Sequence, residues 1–395
     1  MSTPEHAADR ARAAVNTGRL TDLTVAMVRC DTRNPPGDET AIVPLLRDVL
    51  HGLGARTEVF EPAPGRTSVL GTLGAGDGSR PRLLINGHID VVALQAEDWS
   101  VPPFGGVVRE GRVHGRGACD MKGGIAAAIE GVRACQDAGV ELPCDLLFHL
   151  VADEETGGRW GTGALLAADR IAADAAIVPE PSELGVGIAE RGTLLAEVRV
   201  FGRAAHGGDP AAGHSAIADA ARLVQAAHLA DFGTTPHRLL GNPTCNVGTI
   251  HGGSMPNIVA DSATLRLDRR VLPGWTEQEV LDGLAAVLER AGTGIDHTVE
   301  TLSFVEGSEL DPEHPFVRSV CEAAGGAPVR GLNLGTDARF LRNDLGIPTV
   351  VYGPGSMTVA HAADEYVPVD ELSAAARTFA AVYAGFGGTA PMRAS

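Results

Sequence analysis

The sequence predicts an α/β fold with a central, largely parallel sheet and a smaller α+β unit inserted into it. Three observations support this prediction. The chain has 395 residues, which is enough for two or three domains. Short apolar strands alternate with helices in its first half, as they do around a parallel sheet. The middle of the chain instead follows the order βαββαβ.

Strands and helices alternate through the first half of the chain. The helix predicted over GGIAAAIEGVRACQDAG has Ile125, Ile129 and Val132 at i, i+4 and i+7, and it ends near Gly139. Pro44 lies inside another helical pattern, so that helix is expected to start late or to kink. The predicted strands are the apolar segments TSVLGTL, PRLLING, DLLFHLVAD and DAAIVPE.

A unit of about 115 residues interrupts this alternation with its own βαββαβ order, which is typical of a ferredoxin-like fold. Its second helix begins at Thr276 and Glu279, which have the spacing of a capping box. We expect the larger domain to comprise residues 1–188 and 304–395, and the inserted domain to comprise residues 189–303.

Composition and charge exclude several classes of partner. The formal net charge of −18 disfavours binding to nucleic acid or to an anionic membrane surface. The N-terminal segment lacks the apolar stretch of a signal peptide, and no apolar run approaches a membrane span, so a cytoplasmic location is expected. The six cysteines form no C-x-x-C pair, which predicts reduced thiols and excludes a four-cysteine zinc site.

Two of five acidic or histidine-containing segments lie in the first 125 residues. In NGHIDVV, His88 and Asp90 are two residues apart at a strand end, so their side chains point to the same side and the carboxylate can orient the imidazole. In GRGACDMKGG, Asp120 precedes a helix, whose positive end favours an ionised carboxylate. Taken alone, the first motif is better explained as a hydrogen-bonded surface histidine than as a metal ligand, and the second is also explained by an ordinary helix cap.

The other three segments follow later predicted elements. In VADEETGG, extended backbone would point Glu154 and Glu155 to opposite sides, so that one can bind metal while the other transfers protons. A solvated acidic turn is the alternative. Glu180 ends a strand between two prolines, and His361 follows a glycine-rich loop. The five segments occur along the chain in the order His/Asp, Asp, Glu-Glu, Glu, His. Chance explains this combination far less well than it explains any one segment.

From about NPPGDE to HAADEYV, the chain resembles the dinuclear-zinc family of acetylornithine deacetylase, succinyl-diaminopimelate desuccinylase, aminoacylases and related carboxypeptidases. The combination of GHIDVV, GRGACDMKGG and DEETGG carries the resemblance. It implies a metallopeptidase-like catalytic domain with an inserted lid and dimerisation domain. It also implies a non-proline cis peptide bond, expected at Asp120–Met121.

The resemblance implies two divalent ions, Zn²⁺ first and Co²⁺ or Mn²⁺ as alternatives. One ion would be held by His88 and Glu180 and the other by Glu155 and His361, with Asp120 bridging both. Two imidazoles and three carboxylates suit these metals.

The resemblance also implies catalytic and substrate-binding roles. Asp90 would orient His88, and Glu154 would be the general base for a hydroxide that bridges the ions. His206 of the inserted domain would stabilise the oxyanion from the partner subunit of a homodimer. The residues that match substrate-binding positions are Asn257, Arg270, Gly335, Thr336 and Arg339.

The implied reaction is removal of the acyl group from an N-acyl amino acid. Two alternatives stay open: a dipeptidase or carboxypeptidase that uses the same site, and a catalytically silent binding homologue. The absence of G-x-S-x-G and H-E-x-x-H motifs leaves serine-hydrolase and zincin mechanisms without support.

Overall fold

The computed structural model describes residues 4–387, and the chain ends predicted as domain limits at 1 and 395 lie outside them. Nine helices are assigned in this range. They are α1 (Pro4–Ala13), α2 (Thr17–Val28), α3 (Val43–Gly52), α4 (Gly123–Asp137), α5 (Thr162–Ala167), α6 (Ala216–Ala227), α7 (Glu277–Glu289), α8 (Pro315–Ala323) and α9 (Val369–Gly385).

The strands in the same range number eighteen. They are β1 (Arg33–Asn34), β2 (Arg56–Phe60), β3 (Ser68–Leu73), β4 (Arg82–His88), β5 (Val91–Val92), β6 (Val107–Arg109), β7 (Arg112–His114), β8 (Asp145–Val151), β9 (Ala175–Val178), β10 (Val186–Glu190), β11 (Gly192–Phe201), β12 (Thr244–Gly252), β13 (Ser262–Val271), β14 (Asp296–Val305), β15 (Ser308–Glu309), β16 (Val329–Leu332), β17 (Thr349–Val351) and β18 (Tyr366–Pro368).

The described chain divides into two compact units. The first contains the chain up to Ile188, Leu310–Arg330 and the residues from Thr336 onward. The second contains Ala189–Glu309 and Gly331–Gly335. The second unit thus extends past residue 303, because β14 continues to Val305 and β15 then pairs with the end of β10.

The main sheet of the first unit has the order β2-β3-β8-β4-β9-β17-β10. Four central strands run parallel to one another in the order β8-β4-β9-β17. The pairs β2–β3, β3–β8 and β10–β17 are antiparallel. The predicted α/β fold with a central sheet is confirmed; the sheet is parallel at its centre and antiparallel at its margins, a detail that hydrophobic patterns do not record.

Helices α4 and α9 of the first unit pack closely against each other. Gly131 makes the approach possible, because a Cβ built on it would lie 2.8 Å from Cβ of Phe379. Helix α3 begins at Val43 and has Pro44 in its first turn, where the missing N–H costs nothing, so this helix starts late and does not kink.

The second unit is an antiparallel four-stranded sheet of order β12-β13-β11-β14, with α6 and α7 as its helices. This arrangement confirms the predicted βαββαβ, ferredoxin-like fold. Alternate residues of β11, including Leu194 and Val198, pack into a core with Leu223 of α6 and Leu284 of α7. The predicted capping box of Thr276 and Glu279 is present at the start of α7.

None of the helices within residues 4–387 has the combination of length and apolar character that crossing a membrane requires.

Candidate metal centre

Three of the five predicted ligands follow adjacent parallel strands. His88 is the last residue of β4, Glu155 follows β8, and Glu180 follows β9. Because the carboxyl ends of neighbouring parallel strands meet at one edge of a sheet, these side chains converge there. Asp120 comes from the turn before α4, and His361 from the loop before β18.

These five side chains meet around Asp120. Nε2 of His88 lies 3.0 Å from Oδ1 of Asp120 and 3.3 Å from Oε1 of Glu180. Nε2 of His361 lies 3.1 Å from Oδ2 of Asp120 and 3.2 Å from Oε2 of Glu155. Each oxygen of Asp120 therefore faces a different imidazole, which is the arrangement a bridging carboxylate needs.

The hydrogen bonding of His88 fixes which ring nitrogen is available. Its Nδ1 lies 3.0 Å from the carbonyl oxygen of Asp90, which can only accept, so Nδ1 carries the proton. In the neutral ring, Nε2 then presents a lone pair to the oxygens of Asp120 and Glu180. A cation between these electron-rich atoms removes the repulsion, as expected of a metal-binding histidine.

The electrostatics of the carboxylates also fit a cation site. Burial, followed by the charge of Asp120, raises the pKa of Glu180 to about 8. Burial likewise raises the pKa of Glu155, and among the described residues its buried Oε1 has no hydrogen-bond partner. Two overlapping groups of potential ligand atoms, which share His88, each have their atoms within 4.8 Å of one another: His88, Glu154 and Glu180, and His88, Asp120 and Glu155. The side chains present therefore fit divalent metal.

Glu154 and Glu155 lie in a tight turn, whereas the sequence predicted extended backbone. A 3₁₀ turn spans Glu154–Thr156, and Asp153 before it has a φ of 71°. The carboxylate of Asp90 accepts from both glutamate N–H groups, each at 3.2 Å. Asp90 therefore fixes this turn, while its own carboxylate is 3.6 Å from Nδ1 of His88, longer than a hydrogen bond.

Glu154 has a carboxylate oxygen within 4.8 Å of potential ligand atoms of both His88 and Glu180. Burial, together with the charges of Glu180, Asp337 and Glu155, raises the pKa of Glu154 well above its usual range, although His88 acts in the opposite direction. A carboxylate in such surroundings holds a proton more readily than one in water.

Two residues that sequence reasoning did not select complete the support of this turn. Asn34 donates from Nδ2 to Oδ2 of Asp90 at 2.9 Å and to Oγ1 of Thr156 at 3.0 Å. Asp153 accepts from the N–H of Trp160 at 2.8 Å and pairs with Arg66. Asn34 is the first residue of NPPGDE, and Asp153 is the first residue of DEETGG. Their role in supporting the turn is visible only from contacts between distant parts of the chain.

The Asp120–Met121 peptide bond is cis, as predicted. Asp120 itself has non-helical backbone angles of φ −118° and ψ 97°, just before α4 begins at Gly123.

Four predicted site residues belong to the second unit, three of them within Ala189–Glu309 and the fourth, Gly335, in its short second segment. His206 is exposed, and its Nδ1 accepts from the N–H of Gly208 at 3.0 Å, which leaves the ring proton on Nε2. Asn257 is also exposed. It lies near His206, because its backbone carbonyl accepts from the N–H of Gly207 at 2.7 Å. Arg270 donates to both carboxylate oxygens of Asp268, at 3.0 and 3.1 Å.

The remaining predicted substrate residues lie in the loop after β16. Gly335 is exposed, whereas Thr336 is fully buried and its Oγ1 accepts from the N–H of Ala338 at 3.0 Å. Arg339 donates to the carbonyl of Gly157 at 2.8 Å and stacks on the ring of Phe340. Arg339 thus lies beside the turn that carries the glutamates.

Solved structures of several hydrolases share this fold. Aminopeptidase PepT from Bacillus cereus has a TM-score of 0.76 and 23% identity, over 94% of this chain and 99% of that one. Human carnosine dipeptidase 1 has a TM-score of 0.71 and 16% identity, over 97% and 100% of the two chains. A dinuclear metal binding peptidase of the M20 family from Bacillus subtilis has a TM-score of 0.70 and 17% identity, over 95% and 99%.

Residues 84–384 match the family described as Peptidase family M20/M25/M40, and this range contains the whole acid and imidazole cluster. With the mixed α/β fold and the two candidate ligand groups that share His88, this match shows that the chain belongs to Peptidase family M20/M25/M40.

Proposed function

We propose that this protein hydrolyses an amide bond next to a carboxylate group, with two divalent metal ions bound at the Asp120 cluster. The observation that carries the proposal is the position of Asp120 between two imidazoles, each of which also faces a second carboxylate. In this proposal His88 and Glu180 hold one ion, Glu155 and His361 hold the other, and Asp120 binds both. Zn²⁺ is the first candidate and Co²⁺ or Mn²⁺ are the alternatives.

Such a pair of ions would polarise the substrate carbonyl. It would also lower the pKa of a bound water molecule towards about 7, so that hydroxide is available at neutral pH. Glu154 is the proposed proton carrier: its carboxylate takes a proton from the attacking water and returns it to the leaving amine. Asp90 keeps Glu154 in place by accepting from the backbone of its turn. His206 presents a protonated Nε2, the donor that a developing oxyanion requires.

Two substrate classes fit this chemistry. The resemblance to deacetylases and desuccinylases favours an N-acyl amino acid, and the aminopeptidase and the dipeptidase among similar structures favour a short peptide. Initial rates on matched N-acetyl amino acids, N-succinyl amino acids and dipeptides separate the two classes. A metal-loaded protein that is inert on the whole panel would instead support the silent binding homologue.

Glu154→Gln tests the proposed mechanism, with Glu155→Gln as the matched control one residue away. Glu154→Gln should lower turnover by about 10²- to 10⁴-fold and keep both ions, because it removes the proton carrier and no ligand. Glu155→Gln should lose metal, since it removes a charged ligand. Metal content by elemental analysis and turnover on the best substrate are measured for both. Loss of metal from Glu154→Gln with retention by Glu155→Gln would reverse their assignments.

We further propose that the active protein is a homodimer joined through its second unit, in which His206 serves the site of its partner. A heterodimer of His206→Ala and Glu154→Gln chains contains one site with both wild-type groups only if the site is shared between subunits. Recovery of activity above either parent supports sharing. Purified heterodimers as inactive as the parents would overturn it.

A further inference from the structure

The backbone that carries Asp120 is held by a buried carboxylate from a distant segment. Because Asp120 has non-helical backbone angles, no helical hydrogen-bond ladder fixes its position. Glu365, which lies four residues after His361, is instead buried beneath this turn with 1% of its surface exposed.

Four donors from the Asp120 turn converge on Glu365. Its Oε1 accepts from the N–H of Cys119 at 2.8 Å and from the N–H of Asp120 at 3.1 Å. Its Oε2 accepts from the N–H of Gly117 at 3.1 Å and from Nη1 of Arg116 at 2.6 Å. Both oxygens are thus used twice, and the acceptor capacity of the carboxylate is filled.

Arg116 extends the same network to the second imidazole segment. Its Nη2 donates to the carbonyl of His361 at 3.3 Å, while Nη1 contacts Glu365. In addition, the N–H of Gly115 donates to the carbonyl of Glu365 at 2.9 Å. The segments that carry Asp120 and His361 are far apart in sequence. They are nevertheless joined by hydrogen bonds from both side chains and backbone.

We infer that Glu365 and Arg116 are positioning residues, which set the distance between Asp120 and His361 and thereby the affinity of the site for metal. The inference rests on the proposed function, in which these two side chains are ligands. Residues that orient metal ligands typically change metal affinity about 10- to 100-fold when they are replaced. Glu365→Gln keeps the shape of the side chain but replaces one acceptor oxygen with an NH₂ donor. Either position of this NH₂ group faces two hydrogen-bond donors of the Asp120 turn, which is unfavourable.

Glu130 offers a matched control, because it is another buried carboxylate that binds an arginine and a backbone amide. It accepts from the N–H of Asn16 and from Nε and Nη2 of Arg19, each at 2.8 Å, and within residues 4–387 none of these bonds reaches a segment that carries a proposed ligand. Glu130→Gln should therefore lower thermal stability and leave metal binding unchanged.

The experiment measures Zn²⁺ affinity of metal-free wild type, Glu365→Gln and Glu130→Gln by competition with a chromophoric chelator. It also records thermal unfolding and the visible spectrum of the Co²⁺-loaded proteins. Glu365→Gln should bind Zn²⁺ about 10- to 100-fold more weakly and show an altered Co²⁺ spectrum, while Glu130→Gln stays within about threefold of wild type. Zn²⁺ affinity and a Co²⁺ spectrum of Glu365→Gln that match those of Glu130→Gln would overturn the inference.

Arg116→Gln serves if Glu365→Gln does not fold, because it leaves the three backbone donors of Glu365 in place. It should also weaken Zn²⁺ binding, and wild-type affinity would contradict the inference. A wild-type protein that binds no divalent ion would overturn the proposed function itself. Unchanged affinity in the variants of a metal-binding wild type would overturn the positioning role alone.

Discussion

Gly124→Ala should displace a proposed metal ligand without touching it. Gly124 lies in the first turn of α4, and a Cβ built on it would be 1.8 Å from the carbonyl oxygen of Pro179. Since real Cβ contacts are essentially never below 3.0 Å, the strand end at Pro179 must retreat by at least about 1 Å. Glu180 follows directly, and metal sites tolerate displacements of only about 0.5 Å.

The expected change in stability combines two effects of opposite sign. Alanine in place of glycine stabilises a helix by about 1 kcal/mol, and overpacking costs about 1–3 kcal/mol, so Gly124→Ala should lose up to about 2 kcal/mol. Zn²⁺ affinity should fall at least about tenfold. Urea unfolding of the metal-free protein and chelator competition measure the two quantities.

Gly52→Ala is the control, because Gly52 ends α3 and nothing lies within 4 Å of the position that an alanine Cβ would take there. This variant should be as stable as wild type or up to about 1 kcal/mol more stable, with unaltered Zn²⁺ affinity. If Gly124→Ala behaved like Gly52→Ala in both measurements, the close contact between α4 and the Glu180 segment would not limit the site.

Two further predictions concern buried basic groups outside the metal cluster. Burial, aided by Arg170, lowers the pKa of His149 to about 4, so the unfolded chain takes up a proton near pH 6.5 before the folded chain does. As pH falls from 6.5 to 4, the wild type should lose up to about 3 kcal/mol of unfolding free energy relative to His149→Phe, measured by urea unfolding without metal. A stability difference that stays constant over this range would contradict the prediction. Arg269 is 1% exposed and stacks on Phe232 at 3.8 Å, so Arg269→Ala should destabilise the second unit by about 3 kcal/mol. Arg270→Ala should cost less than about 1 kcal/mol, because its pair with Asp268 is partly exposed, and it should raise KM if Arg270 binds a substrate carboxylate. Equal losses of stability in the two variants would refute this distinction.

Local patterns predicted much of the architecture. Alternation and capping signals placed the βαββαβ unit, and Thr276 and Glu279 marked the start of α7 correctly. These features depend on residues within a few positions of each other, which a sequence displays directly. Strand direction at the margins of the main sheet depends on which distant strands pair, and no local pattern records that.

The same division holds within the candidate site. His88 and Asp90 stand out in the sequence because a strand end places them together. The turn at Glu154 could not be predicted, since Asp153 adopts positive φ where Asp90 and Asn34 bind the turn from elsewhere in the chain. Glu365 was visible inside HAADEYV, yet only the folded chain brings it beneath the Asp120 turn.

Asp90 accepts hydrogen bonds from the consecutive backbone amides of Glu154 and Glu155, so these two residues move as one unit. Because Glu154 and Glu155 are joined by one peptide unit, their Cα atoms stay about 3.8 Å apart whatever happens to the loops around them. A shift of the turn therefore carries Glu154, the proposed proton carrier, and Glu155, the proposed ligand, together and leaves the spacing of their Cα atoms intact. Insertions elsewhere can reshape the surrounding loops, whereas a residue added between the two glutamates would change the spacing of the proposed proton carrier and the proposed ligand.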